Sequence, residues 1–327
     1  MVISRQITQI SIPLTKLMQT TMEVRFAFLL TTLLAIASDA IVQSAGRPAF
    51  VHQCGKGTGK GATRTTKKFV SLSDKVAVKP DIALAEQMLF ANVISQCVNS
   101  KSGKFDKDPA FEGYYKRAGF TREPIICIGG VQNDDCCIVS TLKDAVIVSF
   151  RGTTGAASDW LMDAQIRHGQ QKDAQNPPKF PGLLHTGFLA ATSHVWSKRA
   201  FNRAPNVGAR VVEWMKPKGQ KRVRPDHYAM EEIEKLVRET GFKKVYITGH
   251  SKGGAMATLA SWFCYKDLGI VPECYTFASP YPADKTFADN YNGVITQFSY
   301  ENYFDIVPLV PPPDPKYLSD LMRVIPG

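Results

Sequence analysis

The five residues Gly249-His250-Ser251-Lys252-Gly253 follow directly on the β-branched run Val245-Tyr246-Ile247-Thr248 and lead into Gly254-Ala255-Met256-Ala257-Thr258-Leu259-Ala260. A buried strand, a Gly-x-Ser-x-Gly turn and a helix of small residues constrain the chain more than any other feature. The strand must end and the helix begin within one sharp, strained turn that carries the serine at its tip. A side chain at Gly249 or Gly253 would strike the neighbouring strand or helix, which is why the motif needs glycine there. Ser251 is therefore the candidate nucleophile.

Other segments repeat the alternation of strand and helix. Asp81 is placed to cap a helix whose apolar face carries Ile82, Ala85, Leu89 and Val93. Ala145-Val146-Ile147-Val148-Ser149-Phe150 is a continuous apolar run, as expected of a strand covered on both faces. Helices are predicted near 186–200 and 228–240, the second stopped by Gly241 ahead of the strand Lys244–Thr248. Two more strands are predicted at Cys274–Phe277 and Val294–Phe298. The pattern is that of an α/β sandwich with a mainly parallel central sheet and helices on both faces, its reactive loops at the carboxyl ends of the strands.

Residues 1–40 read as a signal peptide or targeting segment: Arg25 precedes the apolar stretch Phe26–Ala37, which is too short to span a bilayer and is followed by small residues. Met22 is an alternative start to Met1. Residues 41–79 read as a basic, disordered connector, and the globular pattern begins at Pro80. Export would place the seven cysteines (Cys54, Cys97, Cys127, Cys136, Cys137, Cys264 and Cys274) where disulfides form. Staples between Cys127 and the Cys136-Cys137 pair, and between Cys264 and Cys274, are the local expectations. None of the spacings suits zinc.

The formal net charge is +11. Much of it sits in the connector (Lys56, Lys60, Arg64, Lys67, Lys68) and in Lys216, Lys218, Lys221, Arg222 and Arg224. Solvated segments account for it; attraction to an anionic surface, such as a lipid interface or an acidic polymer, is the functional alternative. No aromatic residues interleave these charges as a nucleic-acid platform would require. Gly55-Lys56-Gly57-Thr58-Gly59-Lys60-Gly61 fails as a phosphate loop, with the wrong spacing, no hydroxyl after Lys60 and no strand before it.

A serine hydroxyl needs a base, the base needs an acid partner, and the tetrahedral intermediate needs donors for its oxyanion. The backbone N–H of Lys252 is the first donor a turn of this kind supplies. Thr153 in Phe150-Arg151-Gly152-Thr153-Thr154, leaving a central strand, is the candidate second. Asp305, in Asn302-Tyr303-Phe304-Asp305-Ile306-Val307-Pro308, is the candidate acid; it follows a predicted strand and comes after the serine in the chain.

Taken together these segments resemble the fungal lipase-like, or class 3 lipase, family of α/β-hydrolases. Val148–Thr153 with Trp160 and Asp163 is similar to that family's oxyanion strand and the start of its lid. His185-Thr186-Gly187-Phe188 is similar to its His-x-Gly-Phe motif, Thr248–Ala255 to its nucleophile segment, and Tyr275–Pro280 to the strand and loop that follow. Asn302 with Asp305–Pro308 and Pro311-Pro312 is similar to its acid motif. The resemblance spans about residues 80–315, with the motifs in the family's order. It implies an α/β-hydrolase domain over 80–327 that needs no metal or organic cofactor and hydrolyses esters of fatty acyl lipids at a lipid–water interface. Ser251 would attack, Asp305 would orient the base, and Thr153 and Lys252 would hold the oxyanion. The segment Thr154–Gln170, with Trp160, Leu161, Met162 and Ile166, would form a lid over an acyl groove. Triacylglycerol lipase is the leading activity, with phospholipase A1 and feruloyl- or cutin-type esterase as alternatives, in a secreted protein without a stable transmembrane span.

Two departures stand out. Lys252 replaces the family's usual leucine after the serine, which changes only the side chain and reads as a packing or substrate variation. The family's base follows the aspartate, whereas His52, His168, His185, His194, His227 and His250 all precede Asp305. The expectation is a C-terminally truncated chain whose catalytic histidine lies beyond Gly327, with His168 as the weaker substitute. A lipase fold that only binds lipid or a partner surface is the rival from another class. An acyltransferase using the same turn is a third reading.

Overall fold

The computed structural model of the chain describes residues 81–131, 133–153, 168–169, 180–203, 222–301 and 307–309. The targeting segment, the connector and the lid residues Trp160, Leu161, Met162 and Ile166 lie outside these. Helix α1 (Ile82–Gln96) starts where Asp81 accepts a hydrogen bond from the Leu84 N–H at 3.1 Å. Of the expected stripe, Ala85, Leu89 and Val93 are buried but Ile82 is 43% exposed. The helix is buried on more than one side, because α2 (Phe111–Ala118) packs on it: Phe90, Val93 and Ile94 meet Phe111 and Ala118, while Ala85, Met88 and Leu89 meet the sheet.

The strands are β1 (Ile125–Val131), β2 (Asp135–Thr141), β3 (Ala145–Phe150), β4 (His168–Gly169), β5 (Leu184–His185), β6 (Arg222–Val223), β7 (Lys244–His250), β8 (Glu273–Phe277) and β9 (Thr296–Tyr300). Seven form one sheet in the order β6-β1-β2-β3-β7-β8-β9, and β4 pairs with β5 apart from it. Strands β3, β7, β8 and β9 are parallel neighbours; β2 is antiparallel to both β1 and β3, so β1 points with the parallel group. Five of the seven strands therefore run one way, the mixed, mostly parallel sheet of the α/β-hydrolase type.

The remaining helices are α3 (Thr186–Trp196), α4 (Lys198–Arg203), α5 (Ala229–Thr240), α6 (Lys252–Phe263) and α7 (Lys285–Asn292). Alternation in β3 sorts the layers. Val146, Val148 and Phe150 pack with residues of α3, α5 and α6, whereas Ala145 and Ile147 pack with residues of α1. Gly241 closes α5 in the left-handed region at φ 71°. One strand departs from expectation: β9 begins at Thr296, two residues after Val294. The Val294 and Ile295 N–H groups both donate to the Tyr291 carbonyl and so finish the α7 turn before pairing begins.

Neither expected staple is formed: Cys127, Cys136, Cys137, Cys264 and Cys274 are free thiols. Cys127 and Cys137 face each other in register on β1 and β2, yet both, like Cys264 and Cys274, sit in the apolar core as small hydrophobes. Among the described residues no helix is long and apolar enough to cross a membrane.

Candidate active site

Strand β7 lies between β3 and β8, with Gly249 opposite Phe150 on one side and Thr276 on the other. Its end is where the backbone turns. Ser251 stands at φ 55°, ψ −128°, a conformation that costs a non-glycine residue of the order of 1–3 kcal/mol. Its N–H donates to the Phe277 carbonyl at 2.9 Å, and its carbonyl accepts from the Gly254 N–H at 2.8 Å, the first bond of α6. A Cβ on Gly249 would lie 2.0 Å from the Gly253 carbonyl oxygen, and one on Gly253 would lie 2.3 Å from that of Phe150. The helix can cross the strands at this height only because both positions lack side chains. Ser251 itself is 8% exposed. In the loop after β8, Ala278 also has positive φ, at 49°, and its N–H donates to the Tyr300 carbonyl at 2.9 Å.

The loop leaving β3 abuts this turn. A Cβ on Gly152 would stand 2.9 Å from the His250 carbonyl oxygen and 2.6 Å from Gln96 Nε2. The next residue, Thr153, keeps a buried hydroxyl with no hydrogen-bond partner among the described residues. A buried polar atom in that state is costly unless something else engages it. Upstream, the fully buried Arg151 guanidinium donates to the Val98 carbonyl at 2.5 Å, the Ser100 hydroxyl at 3.0 Å and the Asn133 and Asp134 carbonyls at 2.9 and 3.2 Å.

Lys252 has a partner that the sequence did not reveal. Its Nζ lies 2.6 Å from Asp135 Oδ1, and Asp135 Oδ2 lies 2.6 Å from His194 Nδ1. Burial alone would raise the Asp135 carboxyl, but the Lys252 charge and the His194 hydrogen bond hold it well below the usual carboxylate range. The carboxylate can only accept, so Nδ1 of His194 carries the shared proton. Asp135 and His194 showed no pattern in the sequence. The only available signal was Lys252 itself, since a lysine at the start of a buried helix requires an anion.

The histidines divide by role. His250, within the turn, is partly buried, and burial pushes its imidazole down to about 4, so it is neutral near pH 7. His185 caps α3, accepting from the Phe188 N–H at 3.3 Å. The exposed His227 pairs with the buried Glu232 at 2.8 Å, and the backbone of His168 pairs with His185. Asp305 and Asn302 lie outside the described residues, in the chain between β9 and the short 3-10 turn Val307–Leu309. Of the four sequence-derived candidates, the structure thus brings together Ser251, Lys252 and the Gly152-Thr153 loop. Among the described residues no group of three or more His, Cys, Asp or Glu side chains gathers to hold a metal. A hydroxyl on a strained turn at a helix N-terminus, with the Gly152-Thr153 loop packed against that turn, is suited to acyl transfer.

The sequence profile of the family described as Lipase (class 3) matches residues 147–314. Among solved structures, Rhizomucor miehei triacylglyceride lipase is similar at 20% identity, covering 70% of this chain and 73% of that one, with a TM-score of 0.47. The lipase from Rhizopus microsporus var. chinensis is similar at 18% identity, covering 72% of this chain and 71% of that one, with a TM-score of 0.48. No curated protein matches the sequence.

Proposed function

The chain belongs to the class 3 lipase family and is by that membership a carboxylic ester hydrolase, and on this premise we propose that it cleaves lipid esters through an acyl-enzyme on Ser251. The observation that carries the reading is the Ser251 backbone, at φ 55° and ψ −128° between two glycines that have no room for a side chain. Strain of this kind persists only where the surrounding structure imposes it, and it concentrates at reactive residues. In the proposed cycle the Ser251 hydroxyl attacks the ester carbonyl and gives its proton to a base. The resulting oxyanion accepts hydrogen bonds from the Lys252 N–H and from Thr153, whose buried hydroxyl lacks another partner among the described residues. The alcohol then leaves with a proton, and water hydrolyses the acyl-serine. Asp305 is assigned the role of orienting the base. No step requires a metal or an organic cofactor.

Within this class triacylglycerol hydrolysis leads, with phospholipase A1 and feruloyl- or cutin-type esterase activity as neighbours. We assign residues 80–327 to the hydrolase domain, 1–40 to export and 41–79 to a basic connector. The substrate partner is a lipid ester at a lipid–water interface, with attraction of the +11 net charge to an anionic surface as the alternative to simple solvation of its basic segments.

The test is labelling of the full chain with a fluorophosphonate, together with hydrolysis of p-nitrophenyl butyrate, emulsified triacylglycerol and phosphatidylcholine. Labelling and ester turnover should both vanish in Ser251→Ala while the circular dichroism spectrum is kept. Turnover that survives this substitution would overturn the assignment. A folded protein that neither labels nor hydrolyses any of the esters would instead make it a binding member of the family.

A further inference from the structure

Both proposed oxyanion donors are tethered to one short turn. The β1–β2 connection ends at Asn133-Asp134-Asp135, and Arg151, two residues before Thr153, grips it by donating to the Asn133 and Asp134 carbonyls at 2.9 and 3.2 Å. The Arg151 N–H also donates to the Cys136 carbonyl at 2.9 Å. From the other side Lys252, whose own N–H is the second donor, reaches the next residue of the turn, with Nζ 2.6 Å from Asp135 Oδ1. His194 at the end of α3 takes the other carboxylate oxygen at 2.6 Å. We propose that the β1–β2 turn is the positioning element of the oxyanion site, with Arg151 and the Lys252–Asp135–His194 relay setting the separation of the Thr153 and Lys252 donors.

Three features support this role over that of a chance surface pair. Asp135 and His194 are each at most 9% exposed and the Lys252 side chain 17%, so the three side chains are held in place by packing. The contacts span 117 residues between Asp135 and Lys252 and 59 between Asp135 and His194, joining β2, α3 and α6 at one point. The neighbouring Asp134 carboxyl, which burial pushes up, also faces the Lys252 charge. The ammonium therefore contacts the Asp135 carboxylate on a turn that also carries the Asp134 carboxyl. An apolar residue after Ser251 could fill the same space, but it would not be tied to the turn that Arg151 holds. Donors at an oxyanion must be in place before charge develops, and a small displacement weakens them steeply. The lysine is thus a positioning residue acting through its own backbone.

The inference rests on Ser251 being the nucleophile, and its test keeps the two claims separate. The full-length wild type and Lys252→Met, Lys252→Arg, Asp135→Asn and the double variant Lys252→Met/Asp135→Asn would be assayed on p-nitrophenyl butyrate, with active sites counted by fluorophosphonate labelling. Lys252→Met and Asp135→Asn should each lower kcat per labelled site by about 10–100-fold with KM within about twofold, a fraction of the loss expected when a whole donor is removed. The double variant should lose no more than either single one, because both remove the same tether. Lys252→Arg, which keeps a cation toward Asp135, should recover most of kcat. An active wild type whose kcat per labelled site is unchanged in Lys252→Met would overturn this inference alone, even if that variant melts earlier. So would losses that multiply in the double variant. An inert, unlabelled wild type would overturn the reading of Ser251 and this inference together. Should Asp135→Asn fail to fold, the Lys252→Met and Lys252→Arg pair decides by the same kcat criterion.

Discussion

A Cβ placed on Gly249 would stand 2.0 Å from the carbonyl oxygen of Gly253 and 2.7 Å from the backbone nitrogen of Gly254. These are backbone atoms at the start of α6, so no side-chain rotation can relieve the clash. Gly249→Ala must push the helix off β7 or prevent the turn from closing. The expected cost is about 3 kcal/mol or more, at the upper end of overpacking effects. Thermal denaturation should show it as a large loss of Tm or of soluble protein. A variant with wild-type Tm and full labelling of Ser251 would contradict the geometry.

The backbone of Ser251 supports a second, subtler prediction. At φ 55° and ψ −128° a Cβ is unfavourable, and glycine alone adopts the conformation readily. Ser251→Ala and Ser251→Gly both remove the hydroxyl, but only the second releases the strain. Ser251→Gly should therefore be more stable than Ser251→Ala by about 1 kcal/mol, less than the full strain because glycine loses more chain entropy on folding. Paired urea titrations would measure it. The reverse order would mean that the turn is not strained by its side chain.

What could be read from the sequence follows the range of the forces involved. The Gly249–Gly253 turn is legible because local sterics demand glycine on either side of the serine, β3 because a strand covered on both faces is apolar throughout, and β7 because of its β-branched run. Asp81 as a cap and Gly241 as a stop are equally local. β9 starts two residues later than its composition suggests. Val294 and Ile295 have the composition of a strand, but their N–H groups finish the turn of α7. Asp135 was hidden because its partners lie 59 and 117 residues away, and ion pairs at such separations leave no periodicity. Lys252 departs visibly from the family's leucine, but its partner Asp135, at the start of β2, leaves no local sign. The free thiols have the same lesson. Cys127 and Cys137 are in register as a staple would require, yet the apolar core gives each a place as a packed side chain.

Asn92 joins α1 to the two strands that carry the candidate site. Its Nδ2 donates to Thr248 Oγ1 at 3.1 Å, and its Oδ1 accepts from Ser149 Oγ at 2.8 Å; all three residues are buried. Removing the amide leaves two buried hydroxyls short of a partner. Asn92→Ala is expected to cost about 2 kcal/mol, more than the net worth of two exposed hydrogen bonds. For a folded unit of this size that corresponds to a Tm lower by roughly 4–8 °C. Coupling supplies the check. Ser149→Ala should be less harmful in the Asn92→Ala background than in the wild type, whereas additive losses would show that the three side chains do not act as a unit.

Acid should loosen the turn through His250 before it touches Asp135. Burial lowers the His250 imidazole from its ordinary value to about 4 in the folded protein. In the unfolded chain it would titrate near the usual value of about 6.5. Between those two pH values the unfolded state binds a proton that the folded state refuses, so stability must fall as pH drops through that window. The loss approaches at most about 3 kcal/mol at pH 4, from the size of the shift. Asp135 behaves differently. Its carboxyl is held well below the usual range by Lys252 and His194, so its contribution is fully present above about pH 4 and disappears only in stronger acid. The unfolding free energy from urea titrations at pH 7, 6, 5 and 4.5 should therefore decline for the wild type. The decline should be clearly shallower in His250→Gln and still present in Asp135→Asn. A His250→Gln variant with the wild-type slope would show that another group carries the acid response.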